Sequence, residues 1–381
     1  MFRLRTGVVA AAALAAMAGF ATPAFASTGF TGTAPAFFHG GGAVFVQTDN
    51  TAGNRVVAYQ RAADGTLSQA GTYSTGGLGG VLAGSVVDHL ASQGSLQYDA
   101  QRSLLFAVNA GSNTVSVFSV SGDRLALRQV VSSGGSFPVS IAVSGDVVYV
   151  LNALNGGTLQ GYRVLGDYLA PLPGSARALG LDPTETPQFT STPGQVAFTP
   201  DGTQLIVTTK NNGNDIDVFR VGFDGRLSQS PVVNAEPGTV PFGITYDTSG
   251  DLVIAEAGPN ALATFSVARD GTLSAISEVP NGQAATCWVA PAGQFLFAGN
   301  AGSATETSYS SAAGQLTLIA DTNTDAGTVD ASAAPGGRFL YIQTGGAGIV
   351  DEFSVGAGGS LTPLGSVTVP DAAGGEGIVA S

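Results

Sequence analysis

Short runs in which apolar and polar residues alternate fill most of this chain. Clusters of Gly, Asp, Asn and Ser separate them. FGITYD (242–247), LVIAEA (252–257), ALATFSV (261–267) and GTLSAISEV (271–279) form one group of four. Period-two alternation with β-branched residues predicts strands, and no long stretch follows the 3.6-residue period of a helix. Asp-Gly between two such runs marks a tight hairpin. The hairpin FSVARDGTLS (265–274) has near copies at YQRAADGTLS (59–68), FRVGFDGRLS (219–228) and FSVGAGGSLT (353–362).

The aromatic residue of each copy recurs at Tyr59, Phe118, Tyr162, Phe219, Phe265, Tyr309 and Phe353, in steps of 59, 44, 57, 46, 44 and 44 residues. A unit of about 45 residues has the length of a propeller blade. The predicted fold class is therefore all-β, a seven-bladed β-propeller of four-stranded antiparallel blades. The first unit starts at AVFVQTD (43–49), which reads as a second strand, so its innermost strand is missing. GGEGIVAS (374–381) resembles first strands such as PFGITYD (241–247). The C-terminal strand is expected to pair into the first blade and close the ring.

The N-terminus reads differently. Arg3 and Arg5 precede an apolar run from Val8 to Phe20, and Ala24-Phe25-Ala26 has the form of a cleavage site. We expect residues 1–26 to be a cleavable Sec-type signal, 27–42 a lead-in and 43–381 the propeller, with a secreted, periplasmic or cell-envelope location. No membrane insertion is expected after cleavage. The formal charge is −13 and becomes −15 when Arg3 and Arg5 leave. That sign disfavours nucleic acid as a partner. With a single cysteine, Cys287, no intramolecular disulfide forms. A monomer is expected.

Strand direction alternates, so second-to-third turns and blade-to-blade connections share one face. The two longest insertions, 74–93 and 174–192, lie there, which marks the expected binding face. Ends of second strands place Asn109, Asn152, Lys210, Glu256 and Asn300 on it. First strands add Gln195, Asp330, Glu376 and Trp288 at the channel wall. Convergent polar groups suit a small polar ligand in the central channel mouth. Asp330 and Glu376 are expected to face one another. His89, in the first insertion, is a candidate general base. No cofactor is expected. The alternative is Ca²⁺, either at Asp321, Asn323 and Asp325, where oxygen ligands alternate, or at Asn109, Asn152, Glu256 and Asn300. GGLGG (76–80) lacks the Gly-Lys-Ser/Thr ending of a phosphate loop.

GSLQYDAQRSLLFAVNAGSNTVSVFSV (94–120), TPGQVAFTPDGTQLIVTTKNNGNDIDVFRV (192–221), VPFGITYD (240–247) and TCWVAPAGQFLFAGN (286–300) carry a further likeness. With them the chain resembles the seven-bladed lactonase family, which includes 6-phosphogluconolactonase and carboxymuconate-type cyclases. The resemblance implies lactone chemistry on the loop-rich face. A phosphorylated lactone needs a cationic clamp. Here the arginines Arg61, Arg163, Arg220 and Arg269 sit at third-strand ends on the opposite face, and only Lys210 and Arg177 are basic candidates on the binding face. The expected activity is hydrolysis of a small unphosphorylated lactone. Glu256 or His89 would activate water, and Lys210 with the asparagines would hold the oxyanion. The competing expectation is a non-catalytic propeller that binds a ligand or a protein.

Overall fold

A computed structural model describes residues 41–381. The segment read as an export signal, and most of the lead-in, lie outside the described residues. The described residues form seven antiparallel sheets, six of four strands and one in which the outer position is shared by two short pieces. In blade five the strands are Pro241–Tyr246, Leu252–Glu256, Ala261–Val267 and Leu273–Pro280, in that order from the centre outwards. First strands of successive blades pack side by side around the full circle. Among the described residues no helix is long and apolar enough to cross a membrane.

Closure follows the sequence expectation. Ile378–Ala380 pairs antiparallel with Ala43–Gln47 and forms the innermost strand of blade one. It also packs against the first strands of blades seven and two. Ser381 adds a bond from its N–H to Ala43 O (2.8 Å).

The repeated hairpin has a physical cause. Asp64 Oδ1 accepts from Thr66 N (3.1 Å) and Thr66 Oγ1 (2.8 Å), and Asp270 accepts from Thr272 in the same way. The glycine between them takes a left-handed conformation, φ +95° at Gly65 and +94° at Gly271, which glycine adopts without strain. The recurring aromatic sits at a β-bulge between third and fourth strands in blades one, two, five, six and seven. Where it is tyrosine, its hydroxyl donates to an outer strand of the preceding blade: Tyr59 to Thr368 O, Tyr162 to Ser132 O and Tyr309 to Val279 O. The repeat thus carries both the hairpin and a staple between blades. Apolar side chains of second and third strands fill the spaces between neighbouring sheets, as in the cluster of Ile206, Val218, Ile254 and Phe265 between blades four and five.

Candidate functional site

The insertion 74–93 leaves the outer strand of blade one and travels across the loop-rich face. Gly79 N bonds Asn50 O (2.9 Å), and His89 N bonds Gly374 O (2.8 Å). Val87 lies so close to Gly345 and Gly327 that a side chain at either position would collide with it. The end of the insertion then enters the channel. Ser92 Oγ donates to Val139 O (2.9 Å) in blade three, while Trp288 Nε1 of blade six donates to Ser92 O (2.7 Å). Gln93 reaches across to blade six, where its Nε2 donates to Val289 O (2.8 Å) and its Oε1 accepts from Val289 N (3.1 Å). The channel mouth, expected to be a ligand site, is therefore occupied by the protein's own chain.

Several predicted channel residues support this stopper. Glu376 accepts from Gly94 N (2.9 Å), its Oε2 lies 3.3 Å from Ser92 Oγ, and its own N–H donates to Asp49 Oδ2 (2.8 Å). Asp330 and Glu376 come together as expected. Burial raises both carboxyls, Asp330 to about 7, restrained by the N–H groups of Ala331 and Ile378 and by a hydrogen bond with Glu376, and Glu376 well above its ordinary range, with the nearby Asp330 charge adding to the rise. Asp49 is raised by burial to about 8. Gln195 Oε1 accepts from Ile244 N and so ties blade four to blade five.

The asparagines face the spaces within and between blades. Asn109 Nδ2 donates to Ser116 Oγ (2.8 Å) and Thr114 Oγ1 (3.1 Å), while Asn109 Oδ1 accepts from Asn54. Asn300 bonds Thr305, Thr307, Thr286 and Asn281. Asn152 Nδ2 donates to Ser133 O (3.2 Å). All three are fully buried. Glu256 occupies the equivalent position in blade five. Burial, with Glu278 and Glu236 nearby, raises its carboxyl to about 8, and its Oε2 has no partner. His89 packs its ring on Gly374, and burial lowers its pKa. Asp321 accepts from Thr307 (2.6 Å) and Gln283 (2.8 Å) at the edge of blade six, on the outermost strand with Asn323. Asp325, just beyond that strand, donates its N–H to Asp351 (2.8 Å). Among the described residues no group of three His, Cys, Asp or Glu has metal-binding geometry.

Beside the stopper, over blades four to six, lies a cavity of about 170 Å³. Both insertions line it, and so do the ends of first and second strands. Its wall includes Asp88, Phe189, Lys210, Phe242, Cys287 and Trp288. Of the proposed site residues, Lys210 and Trp288 line it; Glu256 and His89 do not. Phe242 and Trp288 meet edge to face, centroids 5.1 Å apart. Val86 is 81% exposed at the rim, so the cavity opens to solvent there.

Lys210 is almost wholly buried. Its Nζ donates to Ala91 O (2.6 Å), Phe189 O (2.6 Å) and Thr192 Oγ1 (3.1 Å), and it lies 5.2 Å from the Phe242 ring centre. An ammonium has three donors, so all are engaged. Burial lowers its pKa to about 7 against the attraction of Asp88. Asp88 is the acid that sequence reasoning overlooked, although it is the only acidic residue in the first insertion. Its Oδ1 accepts from Leu90 N (2.8 Å) and its Oδ2 from Ser92 N (2.9 Å). A carboxylate has about four acceptor sites, so room for a water remains. Burial raises Asp88 to about 6, while those N–H groups and Lys210 restrain the shift. Cys287 is raised by burial to about 12 and is a thiol at neutral pH.

The fold is that of a seven-bladed β-propeller, and proteins of known structure share it. A candidate 6-phosphogluconolactonase from Bacteroides uniformis shares the fold at 17% identity and TM-score 0.71, over 90% of this chain and 99% of that one. A periplasmic gluconolactonase from Pseudomonas aeruginosa does so at 17% and 0.69, over 89% and 98%. A virginiamycin B lyase from Staphylococcus aureus is more distant, at 14% and 0.52, over 75% and 87%. At these identities the likeness is one of architecture. No family model matches the sequence, and no curated protein sequence matches it.

Proposed function

We propose that the cavity beneath the two insertions admits a small unphosphorylated lactone and that water activated by Asp88 opens the ring. One observation carries this reading: an accessible cavity on the loop-rich face has in its wall the buried carboxyl of Asp88, oriented by the N–H groups of Leu90 and Ser92 and left with acceptor sites for a water. A carboxylate of this kind takes a proton from water as the ester carbon is attacked and returns it to the ring oxygen as the carbon–oxygen bond breaks, which leaves a hydroxy acid. The size fits, because an apolar cavity of roughly 150 Å³ holds a benzene ring. Among the described residues no free cation lines the cavity, which argues against a phosphorylated substrate. Lys210 has all its donors engaged, and Arg177 is pinned to Leu227 O and Ser228 O (2.7 Å to the latter). The leader-like N-terminus and the periplasmic gluconolactonase of similar fold support export.

A second reading is binding without turnover. The engaged donors of Lys210 favour it, because no side-chain ammonium is left to hold an oxyanion. Acid release from a panel of unphosphorylated lactones, followed in a pH-stat, separates the two. Turnover lost in Asp88→Asn and retained in Glu256→Gln supports ring opening at this cavity. Saturable binding with no acid release leaves the second reading.

A further inference from the structure

We infer that the cavity selects a ring with an apolar body and rejects a polyhydroxylated sugar ring. This rests on the reading of the cavity as the ligand site, and it narrows the ligand class. The walls are Val87, Val240, Phe242, Ala257, Ala301 and the face of Trp288. Each side-chain donor among the polar lining residues is already committed within the protein, apart from the weakly donating thiol of Cys287. Ser85 Oγ donates to Leu82 O (2.8 Å), Thr190 Oγ1 to Pro187 O (3.1 Å) and Trp288 Nε1 to Ser92 O (2.7 Å). Lys210 Nζ donates to its three acceptors.

A sugar lactone would bring several hydroxyls into this space. Each loses water on entry, and the wall returns almost no partner, so each weakens binding. The alkyl part of a substituted ring loses nothing by leaving water and gains contact with the valines, alanines and aromatic rings. The solvent-facing rim at Val86, and a water held by Asp88, are left for its polar edge.

Trp288 is the only tryptophan in the chain, so its fluorescence reports on this wall directly. Purified protein is titrated with a methyl-substituted δ-lactone, with cyclohexanone and with glucono-δ-lactone, by fluorescence and by calorimetry. We expect the two apolar rings to bind about tenfold or more tightly than the sugar. Ala257→Leu, which fills a half-exposed position on the wall, should weaken them about tenfold with little change in melting temperature. Equal or tighter binding of glucono-δ-lactone overturns the inference, as does failure of both apolar rings to bind. Binding of the apolar lactone without acid release sustains the inference and removes only the catalytic reading. Acid release from glucono-δ-lactone in preference to the alkyl lactone does the reverse.

Discussion

Lys210 Nζ donates to the backbone oxygen of Ala91 at 2.6 Å, joining a strand end of blade four to an insertion that begins after blade one. The same nitrogen holds Phe189 O in the second insertion. One side chain therefore fixes both insertions that roof the cavity. Lys210→Met removes the charge and leaves two buried carbonyls without partners. A buried acceptor left unmade costs about 1–3 kcal/mol, so a loss of about 2–5 kcal/mol is expected. Hydrogen exchange should rise in 82–93 and 188–192 and stay unchanged in the outer strands of blade seven. If exchange in the insertions does not move, Lys210 is not their tether.

Stability should fall as pH rises. Asp49, Asp330 and Glu376 are buried acids whose folded pKa values lie above those of the unfolded chain. The folded state holds their protons more tightly. Their contribution is complete below about pH 4 and is lost as pH climbs through the folded values near 7 and 8. The melting temperature is therefore expected to be higher at pH 5.5 than at pH 8.5, and Asp49→Asn should flatten that slope. Lys210 acts in the opposite direction, because its folded pKa is lowered to about 7. Its contribution is present above the unfolded value and is lost as pH falls through 7. A melting temperature that rises from pH 5.5 to 8.5 would show that the lysine, rather than the acid set, governs the balance.

If Asp88 is the base, turnover requires its ionised form. Activity should rise with pH through an apparent pKa of about 6. A profile controlled instead by Glu256 would rise near 8. Initial rates on one lactone across pH 5 to 9 distinguish these, with stability checked at each pH.

The architecture was legible because propeller geometry is written in local chemistry. Asp270-Gly271-Thr272 encodes its own turn, and the aromatic spacing counts the blades. Pairing of Asp330 with Glu376 was legible too, since Asp330 falls on the first strand of blade seven and Glu376 just before that of blade one. The cavity was not. A strand position fixes which side of a sheet a residue faces, and Asn109, Asn152 and Asn300 share a phase that directs them into blade packing. The path of an irregular insertion has no periodicity to read. Asp88 became visible only once Leu90 N and Ser92 N were seen folded back on its carboxylate, and the stopper only once Gln93 was found bonded to Val289.

Closure of the ring depends on a short strand with many partners. Ile378–Ala380 supplies the inner ladder of blade one, and Glu376 just before it receives the N–H of Gly94. Ending the chain at Gly375 exposes the inner edge of Ala43–Gln47, uncovers Val44 and Val46, and removes the carboxyl group that holds the stopper. Burial of one large apolar side chain contributes about 1.5–3 kcal/mol, and several are uncovered together. The truncated protein should therefore melt at least ~10 °C lower or fail to accumulate in soluble form. Glu376→Gln keeps the strand and separates the two roles. It should leave blade one intact and loosen 88–95 in hydrogen exchange. A truncated chain that melts within about 2 °C of the full chain would mean that the ring is held by blade packing alone.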